Sequence, residues 1–413
     1  MRRKVLLICY YFPPMGLAGV GRPLSLFKGL PRYGYECHVL TVKPVTYWAY
    51  EPELLDGLDT SRVYRSGSRD PQRIMHLLGV RRIKASAIQG SAKITDKFFP
   101  DSKVGWVKSA VRLGRTIAEN NRYDLLISTS PPVSTHLVAE QLSLEFNIPW
   151  VADFRDFWSV RPIEETYDNP KFVERGKKLL RDITLRAATI TAVNRSIADY
   201  VQADHVVPNG YDSAIAQNWL RPPDPSRYII GIPGSQHRGR LIAPLFEVLD
   251  ILRQRYPAEF EFVRLLQVGD VDHKWWSEQL AEHFLTDRCD VLGYKPRVEY
   301  VRALSKASMM FLGLSDDLDS AMIPSRLFDL LASGRPILAS VKADSAVEEL
   351  IRRDRSGFPF SCDTVDDAVE YLRERTLGFG SGKEVISPLP SYAEEFSSDV
   401  MVNKFAGILD TVR

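Results

Sequence analysis

Two series of short apolar runs, separated by helix-length amphipathic stretches, constrain this chain more than any other feature. The first series is KVLLICYY, ECHVLTVK, DLLISTS, PWVADF and TITAV, with HVVPN as a sixth member; the second is RYIIGIPG, FVRLLQVG, CDVLGY, MMFLGL and PILASV. Strand-length runs alternating with helical segments predict α/β architecture, with parallel sheets joined by crossover helices. Between the series, NGYDSAIAQNWLRPPDPSR is rich in Pro and Asp and reads as a linker. The chain has 413 residues, long for a single core and suited to two. We therefore expect two Rossmann-like domains, residues 1–215 and 226–385, with their parallel sheets facing across a cleft. A last helical segment spans 391–413. Open sheets of this kind place ligands at the carboxyl ends of their strands.

Hydrophobic content of 45% and charged content of 26% are those of a soluble globular protein, and no apolar run approaches a membrane span. The basic N-terminus runs directly into a strand, without the architecture of a signal peptide. Cys9, Cys37, Cys289 and Cys362 have no metal-ligand spacing, so reduced thiols in the cytoplasm are expected, with no resident metal. The net charge of +2 hides an asymmetry: residues 1–220 hold 30 basic and 22 acidic side chains, and the remainder 24 and 30. Residues 62–122 alone carry 14 basic and 4 acidic side chains. There, Ile74, Leu77, Leu78, Ile83 and Ile88 fall loosely on one helical face, with Arg81, Arg82, Lys84 and Lys93 interleaved. Such clusters attract anionic lipid headgroups, which suggests peripheral attachment at the inner face of a membrane; a solvated helix pair is the alternative. Nucleic acid is disfavoured, because no recognition module is visible and the C-terminal half is acidic.

The chemistry-bearing residues cluster after strands. The first strand ends in YYFPPMGLAGVGR, where Gly16, Gly19 and Gly21 punctuate the turn into a helix. GLAGVG lacks the G-x-G-x-x-G spacing, and the second strand ends in Lys43 rather than an acid, so a nicotinamide cofactor is disfavoured and a simple packing turn stays open. In GIPGSQHRGR, Gly231 and Gly234 follow a strand and precede Arg238 and Arg240, whose guanidinium forks match phosphate oxygens. CDVLGYKPR offers Tyr294 and Lys295 after another strand. In WVADFRDFW, Asp153, Arg155 and Asp156 either serve an acceptor hydroxyl or form an internal network that fixes the loop.

IPSRLFDLLASGRPILAS predicts a helix opening at Pro324 and closing at Gly334, with Leu327, Phe328, Leu330 and Leu331 facing a core. Arg326 occupies the first turn, where the helix dipole disfavours a cation. An anion bound at that helix end resolves the conflict. Asp329, three residues on, shares the same helix edge and suits the hydroxyls of a ribose.

Taken together, YYFPPMGLAGVGR, FPDSKVGW, YDLLISTSPP, VADFRDFWS, VPNGYD and IPSRLFDLLASGRPILA occur in the order used by the nucleotide-sugar glycosyltransferases of the GT-B type, and the chain resembles the bacterial family 4 retaining enzymes over nearly its whole length. The resemblance implies a glycosyltransferase that moves a sugar from a nucleoside-diphosphate donor, UDP- or GDP-linked, to a saccharide, glycolipid or polysaccharide precursor, with retention and without a metal or cofactor. It places the acceptor on the N-terminal domain, at Gly16, Gly19, Arg22, Arg155 and Asp156. The donor falls mainly on the C-terminal domain, at Gly234, Ser235, Arg238, Arg240, Tyr294, Pro324, Ser325, Arg326 and Asp329, with Gly19 reaching it as well. Catalytic roles fall on Asp153, Asp156, Arg240 and Arg326, and the last helix crosses back onto the first domain. Two positions depart from the family pattern. Ala321 stands where many members carry the first of two glutamates, and the lysine after the donor-side glycine turn is missing, so Arg238 or Arg240 has to supply its charge. A nucleotide-sugar epimerase of the same fold and a non-catalytic nucleotide-sugar-binding protein are the alternatives.

Overall fold

The computed structural model describes residues 2–412 other than 17, 48, 83–97, 160, 222, 225, 237–240, 315–319 and 381–388. The chain divides into two units, Met1–Gly210 with Ser398–Arg413, and Tyr211–Ser397. The first holds a parallel sheet of β1 (Arg3–Ile8), β2 (Tyr35–Val42), β3 (Val63–Ser66), β4 (Leu125–Ser130), β5 (Trp150–Phe154), β6 (Thr189–Ala192) and β7 (His205–Val206), in the order β3-β2-β1-β4-β5-β6-β7. The second holds β8 (Tyr228–Pro233), β9 (Val263–Val268), β10 (Cys289–Val291), β11 (Met309–Gly313), β12 (Ile337–Ser340) and β13 (Gly357–Phe360), also parallel, in the order β10-β9-β8-β11-β12-β13.

Every apolar run of both series forms a strand. The central ones read as continuous Val, Ile and Leu because helices cover both faces of a parallel sheet, and Val5 to Ile8 have no exposed surface at all. Strand order reverses between β1 and β4 in the first sheet and between β8 and β11 in the second. Doubly wound sheets bind ligands beyond the carboxyl ends of the strands at such a reversal.

The segment expected to be a linker is instead packed structure. Ser213–Ala216 and Gln217–Leu220 form helical turns, and Trp219 lies in the core of the second unit. Arg335 pins this segment: its buried guanidinium donates to the carbonyls of Trp219, Arg221, Ser305, Ala307 and Ser333. The division therefore falls at Gly210–Tyr211 rather than within 215–226. At the other end, Ser391–Glu394 stays with the second unit, and the helix Ser398–Thr411 belongs to the first.

That helix docks by both apolar and polar contacts. Met401, Val402, Phe405 and Leu409 are buried, and a Cβ at Gly29 would stand 2.8 Å from a Val402 methyl, so helix Ala18–Gly29 needs a glycine at its end. Arg3 donates to the carbonyls of Leu409 and Val412, each at 2.9 Å, and the Tyr35 hydroxyl donates to Asp410 at 2.6 Å. No helix among the described residues is long and apolar enough to cross a membrane. Phe405→Ala should cost about 3–5 kcal/mol, the range for an aromatic removed from a core. Urea unfolding of the full chain measures it; a loss under ~1 kcal/mol would mean that the helix is only loosely attached.

Candidate functional site

In the first unit the chemistry gathers where β1, β4 and β5 end. Asp153 closes β5 and is fully buried. Its Oδ2 accepts from Arg22 Nε at 2.9 Å and Thr129 Oγ1 at 2.7 Å; its Oδ1 accepts from Arg22 Nη2 and Thr191 Oγ1, both at 2.7 Å. Burial alone would raise this carboxyl, but the Arg22 charge and these four donors outweigh it and hold the group below the usual range. Arg22 Nη1 donates to the carbonyls of Val207, at 2.8 Å, and Pro208, at 3.2 Å. Asp153 and Arg22 were expected at the reaction and at the acceptor, respectively. Both are instead buried in one ion pair, with both Asp153 oxygens and four of the five Arg22 N–H groups spent inside the protein.

Arg155 is also a brace. Its Nε donates to Ser130 O at 2.8 Å, Nη2 to Pro131 O at 2.8 Å and Nη1 to Gly19 O at 2.7 Å, which ties the β4 and β5 loops to the first helix. Burial lowers its pKa, and the carboxylates of Asp153 and Asp156 oppose that. Of the two readings of the Asp–Arg–Asp stretch, the internal network therefore holds for Asp153 and Arg155. The glycines differ from expectation too. Gly16 is buried, and a Cβ there would come within 2.4 Å of Glu51 Oε1, while Gly19 and Gly21 lie inside the helix that begins at Ala18.

Asp156 behaves otherwise. It is partly exposed and has no hydrogen-bond partner among the described residues. Burial pushes its carboxyl up to about 7, and only the Arg155 charge pulls it back. Nearby Tyr11 is raised by burial and then by the carboxylates of Asp101, Asp70 and Asp156. Asp101 accepts from Ser134 N, Ser134 Oγ and Lys103 N, each at 2.8 Å, and burial raises it as well. A half-buried carboxyl that titrates near neutrality beside hydroxyls is equipped to take a proton from an alcohol.

In the second unit the turns after β8, β9 and β10 are laced together. Gly234 has φ +85°, its amide donates to Val268 O at 2.8 Å, and Gln267 Nε2 donates to its carbonyl at 2.7 Å. At Gly269, φ is +145° and a Cβ would fall 2.3 Å from the Gly234 carbonyl carbon, so only glycine fits. The Asp270 amide donates to Ser235 Oγ at 3.2 Å, and the Tyr294 amide to Asp270 Oδ1 at 3.1 Å.

Arg326 reaches this bed from the first turn of helix Arg326–Ser333. One Nη2 donates to Gly313 O at 3.0 Å, at the end of β11, and Nη1 lies where a Cβ on Gly234, after β8, would be 3.2 Å away. The guanidinium thus sits at the strand-order reversal. Its Nε is buried without a partner, and no carboxylate pairs with it among the described residues. Burial lowers its pKa. Ser325, before it, makes no side-chain cap. Asp329 was expected to present itself to ribose; it is buried and its Oδ1 accepts from Arg297 Nη2 at 2.5 Å. Burial raises Asp329 and Arg297 opposes the rise. Arg238 and Arg240 lie outside the described residues.

Residues 20–211 match the glycosyl transferase 4-like domain family. No curated protein sequence matches the chain. Among solved structures, sucrose-phosphate synthase from Thermosynechococcus elongatus is similar over 99% of this chain and 98% of its own, with a TM-score of 0.62 at 14% identity. HepE from Anabaena, solved with UDP and glucose, is similar over 99% of this chain and 100% of its own, with a TM-score of 0.60 at 14% identity. A putative UDP-N-acetylglucosamine 2-epimerase from Listeria monocytogenes gives 0.57 at 10% identity, over 100% and 96%. Residues 20–211 are thus a glycosyl transferase 4-like domain, and over its full length the chain has the fold of the GT-B glycosyltransferases.

Sequence reasoning about this glycosyltransferase missed several residues that the structure brings to the sites. Asp101 and Lys103 belong to FPDSKVGW, which carried part of the resemblance but no assigned role; an Asp two residues before a Lys reads only as a helix cap. Tyr11 sits in an apolar run, and Arg297 has nothing nearby in the sequence to mark it as Asp329's partner. Removing one member of the buried pair tests its structural role. Arg22→Ala should destabilise the glycosyltransferase by about 3–5 kcal/mol in chemical denaturation, because Asp153 is left as a buried unpaired charge. A normal midpoint with lost activity would return Arg22 to the acceptor.

Proposed function

We propose that this glycosyltransferase takes a sugar from a nucleoside-diphosphate donor bound by the second unit and passes it, with retention, to a hydroxyl of a saccharide, glycolipid or polysaccharide precursor bound by the first. It works in the cytoplasm without a metal. The observation that carries this reading is Arg326, a half-buried cation at the second sheet's strand-order reversal that no carboxylate pairs with among the described residues. A diphosphate supplies the missing counter-charge, and the positive end of helix Arg326–Ser333 adds to it. Negative charge on the leaving diphosphate grows as the glycosidic bond breaks, so a cation already fixed there favours the transition state over the ground state. UDP is the favoured nucleotide, supported by the similarity to HepE, which was solved with UDP and glucose; GDP is second.

On the acceptor side the proton passes to Asp156, and Asp101 and Tyr11 are the groups available to orient a polyhydroxyl acceptor. Arg238, Arg240, Gly234, Ser235, Tyr294, Pro324 and Ser325 complete the proposed donor bed. Asp329 contributes to it through Arg297 rather than by facing ribose directly. Epimerisation is the second reading, favoured by the likeness to the Listeria protein. NMR of donor incubated without acceptor separates the two: a transferase leaves the sugar's configuration intact, and an epimerase converts it.

Two variants test the assignments. Arg326→Ala should weaken UDP binding by roughly 1.5–3 kcal/mol, the range for hydrogen bonds to a charged group. Calorimetry that finds equal affinity would remove Arg326 from the donor. Asp156→Asn should lower kcat/KM by about 10²–10⁴. Wild-type activity should rise with pH through about 7, as the carboxyl becomes a base. Its stability effect has the opposite sign. The folded carboxyl keeps its proton up to about 7, whereas an unfolded aspartate releases its own near ~3.9. Between those values the unfolded chain binds fewer protons, so folding weakens as pH rises. At pH ~8 the Asn variant should melt no lower than wild type; a lower melting point combined with normal turnover would make Asp156 structural.

A further inference from the structure

The short helix Pro71–Leu77 and the turn after it carry the most exposed apolar side chains of the N-terminal unit's basic tract. Ile74 is 46% exposed, Leu77 66%, Leu78 78% and Val80 42%. A helix of seven residues does not hold itself together in water, so something must fix it. Five polar contacts do. Asp70 caps it by accepting from Arg73 N at 3.1 Å, and the Tyr10 hydroxyl donates to the same carboxylate at 2.8 Å. Lys103 Nζ donates to the Gln72 side chain, and Thr46 N donates to Gln72 O at 3.0 Å. Thr46 Oγ1 then donates to Val80 O at 2.7 Å, past the turn at Gly79, whose φ is +94°. The leucines are therefore not the frayed end of a loose segment. They stand on a platform bolted to the carboxyl end of β1, and they face water.

The platform is also cationic. Arg73 donates to Pro44 O, Arg81 leans on His76, and Arg82 lies 5.9 Å from the Tyr50 ring; none has a carboxylate partner among the described residues. Residues 62–122 hold 14 basic against 4 acidic side chains, so this region is not neutralised by its own sequence. Exposed leucines do not suit nucleic acid, whose surface is phosphate and sugar. Three unpaired arginines disfavour a second copy of the same face. An interface with both anionic headgroups and an apolar layer beneath them meets both halves of the surface.

We infer that Ile74, Leu77, Leu78 and Val80, flanked by Arg73, Arg81 and Arg82, form a docking surface for an anionic lipid bilayer. Leu77 and Leu78 enter the acyl boundary and the arginines stay among the headgroups. The helix expected over Ile83 and Ile88 is not needed: those residues lie outside the described ones, and the surface is complete within 73–82.

Co-sedimentation with vesicles of equal parts phosphatidylglycerol and phosphatidylcholine tests this without donor or acceptor, so failure here leaves the transferase reading standing. Wild type should bind these vesicles and not pure phosphatidylcholine, and added salt should weaken binding. Leu77→Ser with Leu78→Ser should lower the partition coefficient about tenfold or more at an unchanged melting temperature. Arg73→Ala with Arg82→Ala should lower it about 25-fold, near fivefold for each cation. Four results would overturn the inference: no binding at low salt, binding untouched by the leucine changes, equal binding to both kinds of vesicle, or a wild-type dimer that the leucine changes dissociate. A fall in melting temperature of the leucine variant would overturn it too, because the leucines would then be covered by the chain itself.

Discussion

The Arg22–Asp153 pair decides how the first unit presents its chemistry. A carboxylate with no exposed surface is tolerable only when its charge and both oxygens are satisfied. Here a helix, β4 and β6 each contribute a donor to it, and the same guanidinium reaches the chain beyond β7. Because Arg22 saturates Asp153, Arg155 is released from that duty. Its donors turn to the carbonyls of Ser130, Pro131 and Gly19, which sets the loops around the strand-order reversal. Asp156 is then left near a guanidinium but not hydrogen-bonded to it, and it keeps its proton to about 7. One buried pair thus fixes the scaffold and, two steps on, leaves a carboxyl suited to proton transfer.

The second unit distributes its arginines by the same logic. Arg335 is consumed by carbonyls and holds the chain after Tyr211 to the core. Arg297 is consumed by Asp329, a carboxyl whose pKa burial raises and Arg297 pulls back. Arg326 receives one carbonyl and no anion among the described residues. These three arginines therefore differ in one respect that matters chemically: among the described residues, only Arg326 of the three meets no anion and is not saturated by carbonyls.

Much of the architecture was legible because parallel strands covered on both faces are written as unbroken apolar runs. The two strands that escaped notice, β3 (VYRS) and β13 (GFPF), are both edge strands. An edge strand is half covered and short, so neither an apolar run nor strict alternation marks it, and β13 even carries Pro359, which an edge tolerates. The sites were legible by residue type but not by role. DFRD shows two carboxylates and a cation three residues apart, yet what separates Asp153 from Asp156 is Arg22, 131 residues earlier. Asp329 likewise meets Arg297, 32 residues before it. Local spacing carries no trace of such partners. Arg326 was legible because its peculiarity is local: a cation in a helix's first turn contradicts the dipole whatever packs around it.

That contradiction deepens in three dimensions. A cation at a helix N-terminus costs about 0.3–1 kcal/mol. A buried donor without a partner, as at Arg326 Nε, costs about 1–3 kcal/mol more. Ser325 makes no side-chain cap of the kind that stabilises most helix starts by about 1 kcal/mol. Three unfavourable features share one helix end, and a glutamine at 326 would relieve the first of them without disturbing the apolar face of Leu327, Phe328, Leu330 and Leu331. Selection for stability alone does not assemble such a set. All three respond to the same remedy, an oxyanion beside the guanidinium at this helix end, and the diphosphate proposed above would answer them together. Under the proposed function, this cost would be recovered when the diphosphate binds, and more of it as the bond to the sugar lengthens and the leaving group's charge grows.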